Sequence, residues 1–488
     1  MNNQSKLRIW FAVCIGMFAF TCLGQPSLNL VPRLCDEGDF NGAVALLKSA
    51  LEDGKVSAEQ RKSIETEIER IARIREDYSD TTESLYSALT RTVSGLTRKE
   101  FNEWIDEGRF DSHIIDGETR FVGTSVNNLF FRYPELNSRR TSGKTSKTEA
   151  SYQKALLENC RTIKKAAHAE NTPYVLPHRF KCTMTVTVKK DAVPAKETIS
   201  AWLPIPRTYP FQKDFKVLGS SPEIKVLAPE DSPIRSAYFE LAASKNKETR
   251  FEISYEYTAS AVCFDLDQKK IQPIDLKNPE LKKFTDESPH VVFTKSIKDV
   301  SNEIVGKEKN PMLQAKAFYD WIAESIKYSY AREYSTLTNI SDYCFGNRYG
   351  DCGQEAMLFI TLCRSKGIPA RWQSGWSHFP GAKTMHDWCE IYLEPYGWMP
   401  CDPWAGIFAM RYCTELSPKE QRELRDFYFG GLDQYRMSAN GDHSAALNPP
   451  KKFFRSDDVD FQRGELETAN QNVYFGKFSY KFEAAKLP

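Results

Sequence analysis

From about Leu30 to Glu170 apolar residues recur at helical spacing. The stretch GDFNGAVALLKSALEDG carries that period and ends at a glycine, a helix-stop signal. In the next stretch Ile64, Ile68, Ile71 and Ile74 lie three and four apart with charged residues between them, one apolar stripe. The two predict an antiparallel helical hairpin whose stripe is core rather than a docking face. The segment NSRRTSGKTSKTE, from Asn137, is polar, basic and glycine-bearing, and predicts a solvated loop. At His178 the period changes to two. Phe180, Cys182, Met184, Val186 and Val188 alternate with polar residues, as do Phe251, Ile253, Tyr255 and Tyr257, which predicts half-buried strands of a small β-sandwich.

A third region starts near Pro279. Asn310-Pro311 reads as an N-cap followed by a first-turn proline, with Met312, Ala315, Tyr319, Ile322 and Ile326 as the buried face of the helix. After an aromatic, turn-rich stretch comes RYGDCGQEAML. The run GQEAMLFITLCRSKG behind Cys352 predicts a helix with Gly367 as its stop, and Ala356, Phe359, Ile360 and Cys363 as a buried stripe. ARWQSGW then opens a strand, and GAKTMHDWCEIYLEPYGWMPCDPWAG supplies two more. His386 starts the first of these and Asp402 closes the second. The pattern as a whole predicts a multidomain α+β protein: residues 25–172 helical, 173–268 a β-sandwich, and 279–488 a third domain with a C-terminal extension.

Composition changes this picture in two places. Lys6 and Arg8 precede an apolar run from Ile9 to Leu23, shorter than a spanning helix, with Cys22 and Gly24 spaced for cleavage before Gln25. Residues 1–24 are therefore expected to be a signal peptide of an exported, periplasmic or secreted protein. A lipid anchor on Cys22 fits less well behind Phe20 and Thr21, and no membrane span is expected after cleavage. The chain holds 12 cysteines, ten of them beyond this segment, and none form C-x-x-C pairs, so neither a disulfide scaffold nor a structural zinc site is expected. A net charge of +1 argues against a nucleic-acid partner.

The candidate chemistry lies in the third region. A cysteine at a helix start meets the positive end of the helix dipole, which favours the thiolate. An imidazole beside it takes and returns a proton, and a carboxylate on the other ring nitrogen fixes the tautomer. Cys352, His386 and Asp402 supply these in order, with Trp388 and Trp398 following the histidine. His378 is the rival histidine; it lacks the tryptophan that follows His386 and is expected in the loop. Backbone N–H groups at the helix start can face an oxyanion, with Tyr343, Phe345, Asn347 and Tyr349 as candidate side chains nearby. Asp433 and Asp442 lack the spacing of a calcium loop, and no phosphate loop, H-E-x-x-H or G-x-S-x-G is present.

The segments YGDCGQEAMLFITLCRSKGIPAR, MHDWCEIYLEPYGW and CDP resemble the transglutaminase-like superfamily of cysteine enzymes, over about Pro279 to Pro418, and beyond them FYFGGLDQYRM and VDFQRGELE resemble its bacterial, exported members. The AWLPIPRTYP region is similar to the β-sandwich that often precedes the core in bacterial members. The resemblance implies a papain-like α+β core, Cys352 as nucleophile, His386 as acid/base and Asp402 as its orienter, with no cofactor and no metal. Where the family often has a small residue after the histidine, this chain has Asp387. The expected function is acyl transfer through a Cys352 thioester on a peptide or protein substrate, with hydrolysis of the peptide or amide bond favoured. A protein-glutamine transamidase, a binding protein that keeps the fold without catalysis, and a thiol redox protein are the rivals; the last lacks a resolving cysteine beside Cys352 in sequence.

Overall fold

The computed structural model describes residues 26–54, 56–141 and 147–488. The expected signal peptide and Cys22 lie outside the described residues. The described residues divide into two compact units, one made of those up to 141 with 336–339 and 345–347, the other of 147–335, 340–344 and 348–488.

In the first unit the predicted hairpin is the helix Phe40–Glu52 followed by Ala58–Asp77. The second helix starts on a capping box, in which Ser57 and Gln60 satisfy each other's backbone N–H groups. Ile64, Ile71 and Ile74 are buried, and Ile68 packs against the same core, so the stripe faces inward. A small antiparallel sheet of Asp80–Thr81, Ser112–Ile115 and Glu118–Phe121 interrupts the helices. Its hairpin turns at Asp116 and Gly117, both at positive φ (49° and 87°), the Asp-Gly turn that the strand twist requires.

In the second unit the long helix Lys147–Glu170 begins inside the segment expected to be loop. Two sheets then enclose one core. The strands Tyr174–Val188 and Thr249–Cys263 pair antiparallel, and Phe180, Cys182, Met184, Val186 and Val188 meet Phe251, Ile253, Tyr255 and Tyr257 inside it. These sheets do not end at residue 268. Phe478–Lys486 pairs with Tyr174–Val188, Glu465–Glu467 with Thr198–Pro204, and Gly431–Leu432 with Thr249–Cys263.

The site rests on a third, antiparallel sheet in the order Gly397–Cys401, Ala382–Leu393, Ala370–Phe379, Arg436–Asn440. The helix Cys352–Arg364 is capped by Asp351, whose carboxylate accepts the Gln354 N–H at 3.0 Å. Every residue of it from Gly353 to Arg364 is buried, not only the expected stripe. That is the pattern of a central helix covered on all sides, by the sheet and by the helices Lys295–Val305 and Pro311–Ser325. The latter starts as expected, with Asn310 accepting the Met312 N–H. Among the described residues no helix is long and apolar enough to cross a membrane.

The pairing of the last strand depends on Gly375. A Cβ there would lie 1.8 Å from the Met437 carbonyl oxygen. Gly375→Ala is therefore expected to push Arg436–Asn440 off its neighbour and cost about 1–3 kcal/mol, read by urea denaturation of the full chain.

Candidate active site

His386 and Asp402 come together across two neighbouring strands. Cys389 pairs with Cys401 in the register, which sets Asp402 just beyond the strand end, within reach of His386. Pro403 stops the strand there, and Asp402 caps the short helix Pro403–Ile407 by accepting the Ala405 N–H at 3.1 Å. The other carboxylate oxygen of Asp402 meets His386 Nε2 at 2.7 Å and an Arg436 guanidinium nitrogen at 3.0 Å. Burial pushes Asp402 up, but His386 and Arg436 outweigh it and hold the carboxyl below its ordinary range. Burial, aided by Arg436, pushes His386 below the ordinary histidine range despite Asp402. At neutral pH the pair is thus an ionised carboxylate and a neutral imidazole. The carboxylate can only accept, so Nε2 carries the ring proton and Nδ1 keeps a free lone pair. Trp404 stands edge-on to the imidazole, with ring centroids 4.9 Å apart, and Trp388 lies nearly parallel at 6.0 Å.

Arg436 joins this pair from the segment FYFGGLDQYRM, to which the sequence assigned no role. Its Nε donates to Asp433 at 2.9 Å, and Tyr428 donates to the same Asp433 oxygen at 3.2 Å. The guanidinium lies 5.4 Å from the Trp388 ring centroid. The resemblance of that segment to bacterial members was the signal that could have found it.

Cys352 stands at the helix start as expected, but its side-chain hydrogen bond does not go to His386. The thiol donates to Asp387 Oδ2 at 3.4 Å. Strand alternation explains the choice. Asp387 pairs with Ser374 and Cys389 with Trp372, so these four side chains share a face of the sheet. The first turn of the helix is pressed onto that face at Gly353, where a Cβ would lie 2.7 Å from Asp387 Oδ2 and 2.9 Å from the Trp372 ring. The ring of His386, one residue away, lies nearly parallel to that of Trp388.

Asp387 is almost wholly buried in a cluster of acids. Gln462 donates to its Oδ1 at 2.7 Å, and Tyr334 donates to Asp351 at 2.7 Å and approaches Asp387 Oδ2 at 3.5 Å. Behind it Asp460 accepts from Ser374 and from Asn440, the latter at 2.9 Å. Burial, then Asp460 and Asp351, push Asp387 well above the carboxylate range. Burial likewise pushes Asp351 up to about 6. These acids form no set that could hold a metal ion among the described residues.

This surrounding reverses the expected thiolate. Burial, Asp387 and Asp351 raise the Cys352 thiol well above its ordinary value, and the Asp387 backbone N–H offsets only part of that. The magnitudes agree. A thiolate 3.4 Å from a carboxylate is repelled by about 5 kcal/mol at an effective dielectric of about 20, whereas a helix terminus returns about 1–2 kcal/mol.

His378 lies in the strand Ala370–Phe379 and not in a loop. It is buried, 3.1 Å from the Tyr257 hydroxyl and edge-on to Phe180, and burial lowers it to about 3, the state of a neutral core histidine. Among the oxyanion candidates, Tyr343 and Tyr349 meet edge to face, while Phe345 and Asn347 belong to the first unit. The hydroxyls of Tyr334, 3.5 Å from Asp387 Oδ2, and of Tyr328 both lie near enough to interact with Cys352, and the sequence singled out neither. The ten described cysteines are all free, and Cys389 donates to the Cys401 carbonyl at 3.2 Å.

Residues 298–403 match the sequence model of the transglutaminase-like superfamily, a stretch that includes Cys352, His386 and Asp402. This part of the chain is a transglutaminase-like domain. An uncharacterized protein of Haemophilus influenzae is 22% identical over 241 residues, which cover 43% of this chain and 63% of that protein. The uncharacterized protein YebA of Bacillus subtilis is 22% identical over 188 residues, covering 34% of this chain and 25% of that protein. The match thus spans less than two-thirds of either relative. Among solved structures, a candidate cysteine protease of Cytophaga hutchinsonii aligns with a TM-score of 0.44 and 16% identity, over 64% of this chain and 92% of that one. The periplasmic domain of TgpA from Pseudomonas aeruginosa aligns with a TM-score of 0.27 and 14% identity, over 53% and 94%. Arg436, Asp460 and Gln462 all lie past the end of the transglutaminase-like match.

The acid cluster of the transglutaminase-like domain carries a pH signature. Asp351 has a higher pKa folded (about 6) than unfolded (about 4), so its contribution to stability is present below about pH 4 and is lost as pH rises through about 6. Asp351→Asn keeps the helix cap without the charge. It is expected to match the parent near pH 4 and to exceed it by about 1–3 kcal/mol near pH 8, measured by urea denaturation at the two values.

Proposed function

We propose that this protein is a cysteine acyl-transfer enzyme that hydrolyses peptide or amide bonds. The observation that carries the reading is the buried His386–Asp402 pair, a neutral imidazole fixed by a carboxylate at 2.7 Å, in the same sheet onto which the helix of Cys352 is pressed. Cys352 attacks the carbonyl carbon, and the first-turn N–H groups of its helix, which have no partner within the helix, are aimed at the oxyanion. Collapse of the tetrahedral adduct releases the amine and leaves a thioester on Cys352. His386, with Nδ1 free and Asp402 stabilising the charge it gains, takes the thiol proton as the S–C bond forms, gives it to the departing amine as the C–N bond breaks, then takes a proton from the water that adds to the thioester and returns it to the sulfur as the S–C bond breaks. Water is favoured over an amine as acceptor because it is present at far higher concentration. The basic–apolar pattern from Lys6 to Leu23 supports action outside the cytoplasm.

The test is mass spectrometry of a peptide library incubated with the protein in heavy-oxygen water with an added primary amine. Labelled carboxyl termini are expected, lost with Cys352→Ala and lowered in rate by at least ~100-fold with His386→Ala or Asp402→Asn. Amine adducts on glutamine without labelled termini would make the protein a transamidase. No Cys352-dependent product of either kind would leave the fold to a binding role.

A further inference from the structure

Of the helix that carries Cys352, only that residue and its cap Asp351 are partly open to solvent; Gly353 to Arg364 are buried. Both donors that reach the Asp351 carboxylate, the Gln354 N–H at 3.0 Å and the Tyr334 hydroxyl at 2.7 Å, meet Oδ1 and leave Oδ2 open. One helical turn further on, Glu355 is fully buried, and neither of its carboxyl oxygens has a hydrogen-bond partner among the described residues. Residues four apart lie on one face of a helix, so Glu355 faces the same way as Asp351. The acids that act on it are Asp351 and Asp402, which sets it between the cap of the Cys352 helix and the orienter of His386. A buried polar group without a partner is costly and calls for an explanation.

The charges around this opening are unbalanced. Those that act most strongly on Cys352 are Asp387, Asp351 and Glu355, all acids. Asp351 in turn is faced by Asp457 and Glu333. Arg463 donates to both of the latter, to Glu333 at 2.9 Å and to Asp457 at 3.4 Å, one cation for two acids. Arg436 is shared in the same way between Asp402 and Asp433. Rings add to the attraction. From Trp404, beside His386, Tyr328 and Tyr330 follow edge to face at 6.4 and 5.8 Å, and Tyr330 is exposed, so an aromatic wall runs from the imidazole to solvent. Aromatic faces and buried carboxyls both favour a cation. Among the described residues the acids form no set that could hold a metal ion, so the ligand that fits is an organic cation.

We propose that the opening beside Cys352 binds a cationic group of the substrate, a primary ammonium or guanidinium carried on a residue next to the scissile bond. The proposal rests on Cys352 being the nucleophile. The cation sits against Asp351 Oδ2 and the aromatic wall, which brings the neighbouring carbonyl over the sulfur. Its charge draws Glu355, held neutral by burial at rest, toward the ionised form, and the proton goes to solvent. A peptide with an acidic residue in the same place meets only like charge.

The experiment compares how fast Cys352 in the full chain reacts with a cationic (trimethylammonioethyl) and an anionic (sulfonatoethyl) methanethiosulfonate. Each rate is read by mass spectrometry of the peptide that contains Cys352 and divided by the rate on 2-mercaptoethanol. At neutral pH the cationic reagent is expected to lead by at least ~10-fold on this scale. Asp351→Asn, which keeps the cap, should cut that lead at least about threefold. In the peptide library, kcat/KM for bonds flanked by Lys or Arg should exceed that for bonds flanked by Asp or Glu by at least ~10-fold. For the cationic peptides KM should rise as pH falls through about 6, where Asp351 takes up its proton, while kcat moves less, a split that a purely structural cap would not give. Equal scaled rates for the two reagents in the parent, which needs no variant, would overturn the proposal, as would a lead that Asp351→Asn leaves unchanged. A cation preference at the sulfur in a protein with no Cys352-dependent turnover would uphold the site and overturn the enzymatic reading alone. Turnover indifferent to flanking charge would overturn the site alone.

Discussion

The guanidinium of Arg436, buried between Asp402 and Asp433, is the interaction on which the arrangement of the site depends. Two carboxylates removed from water cost several kcal/mol each unless they are paired and hydrogen-bonded. Arg436 compensates both at about 3 Å, with Tyr428 satisfying more of Asp433. Because Asp402 therefore stays ionised, it can only accept, and the proton of His386 must sit on Nε2. The tautomer of the histidine is thus decided by a residue 50 positions later in the chain, on the strand that closes the sheet.

The surroundings of His386 and of Cys352 are charged by opposite rules. Beside His386, Asp402 has a cation and is held ionised. Around Cys352 the carboxyls Asp387, Asp351 and Asp460 have hydroxyl and amide donors, and burial makes each of them hold protons more tightly. Arg463, three residues after Asp460, pairs with Glu333 and Asp457. The change from one rule to the other takes a single step along the strand, from His386 to Asp387.

Much of this was legible in the residues. The period-three-and-four stripe of Ile64 to Ile74, the alternation of Phe180 to Val188, and the Asn310-Pro311 helix start each state a local preference that packing keeps. Cys352 and Asp402 stand out because each lies at the junction of an element, whereas His386, expected to start a strand, lies inside Ala382–Leu393, which begins four residues earlier; the pairing of Cys389 with Cys401 brings His386 and Asp402 within reach. The small sheet around Asp116-Gly117 was missed because its strands are of four residues or fewer, too short to show a period. The long-range parts were not legible for a different reason. Arg436, Gln462 and Asp460 act only through pairings made across scores of residues, which leave no spacing to read. The strand opened by ARWQSGW runs on through His378, which was expected in the loop after it, because burial in the aromatic core, not its neighbours in sequence, gives His378 its place. The expected thiolate failed on one fact, that strand alternation turns Asp387 toward the sulfur.

The strands that return late in the chain have a consequence for how the molecule comes into being. Arg436–Asn440 closes the sheet of the site, Glu465–Glu467 and Phe478–Lys486 close the two sheets before it, and Gln462 lies between them. A chain emerging from the ribosome in order has made Cys352, His386 and Asp402 long before it can make the residues that hold them. Until Arg436 and the segment around Gln462 have been made, the sulfur has neither its acidic surroundings nor the neighbour of an oriented imidazole. The order of synthesis thus places the parts of the site before the contacts that hold them.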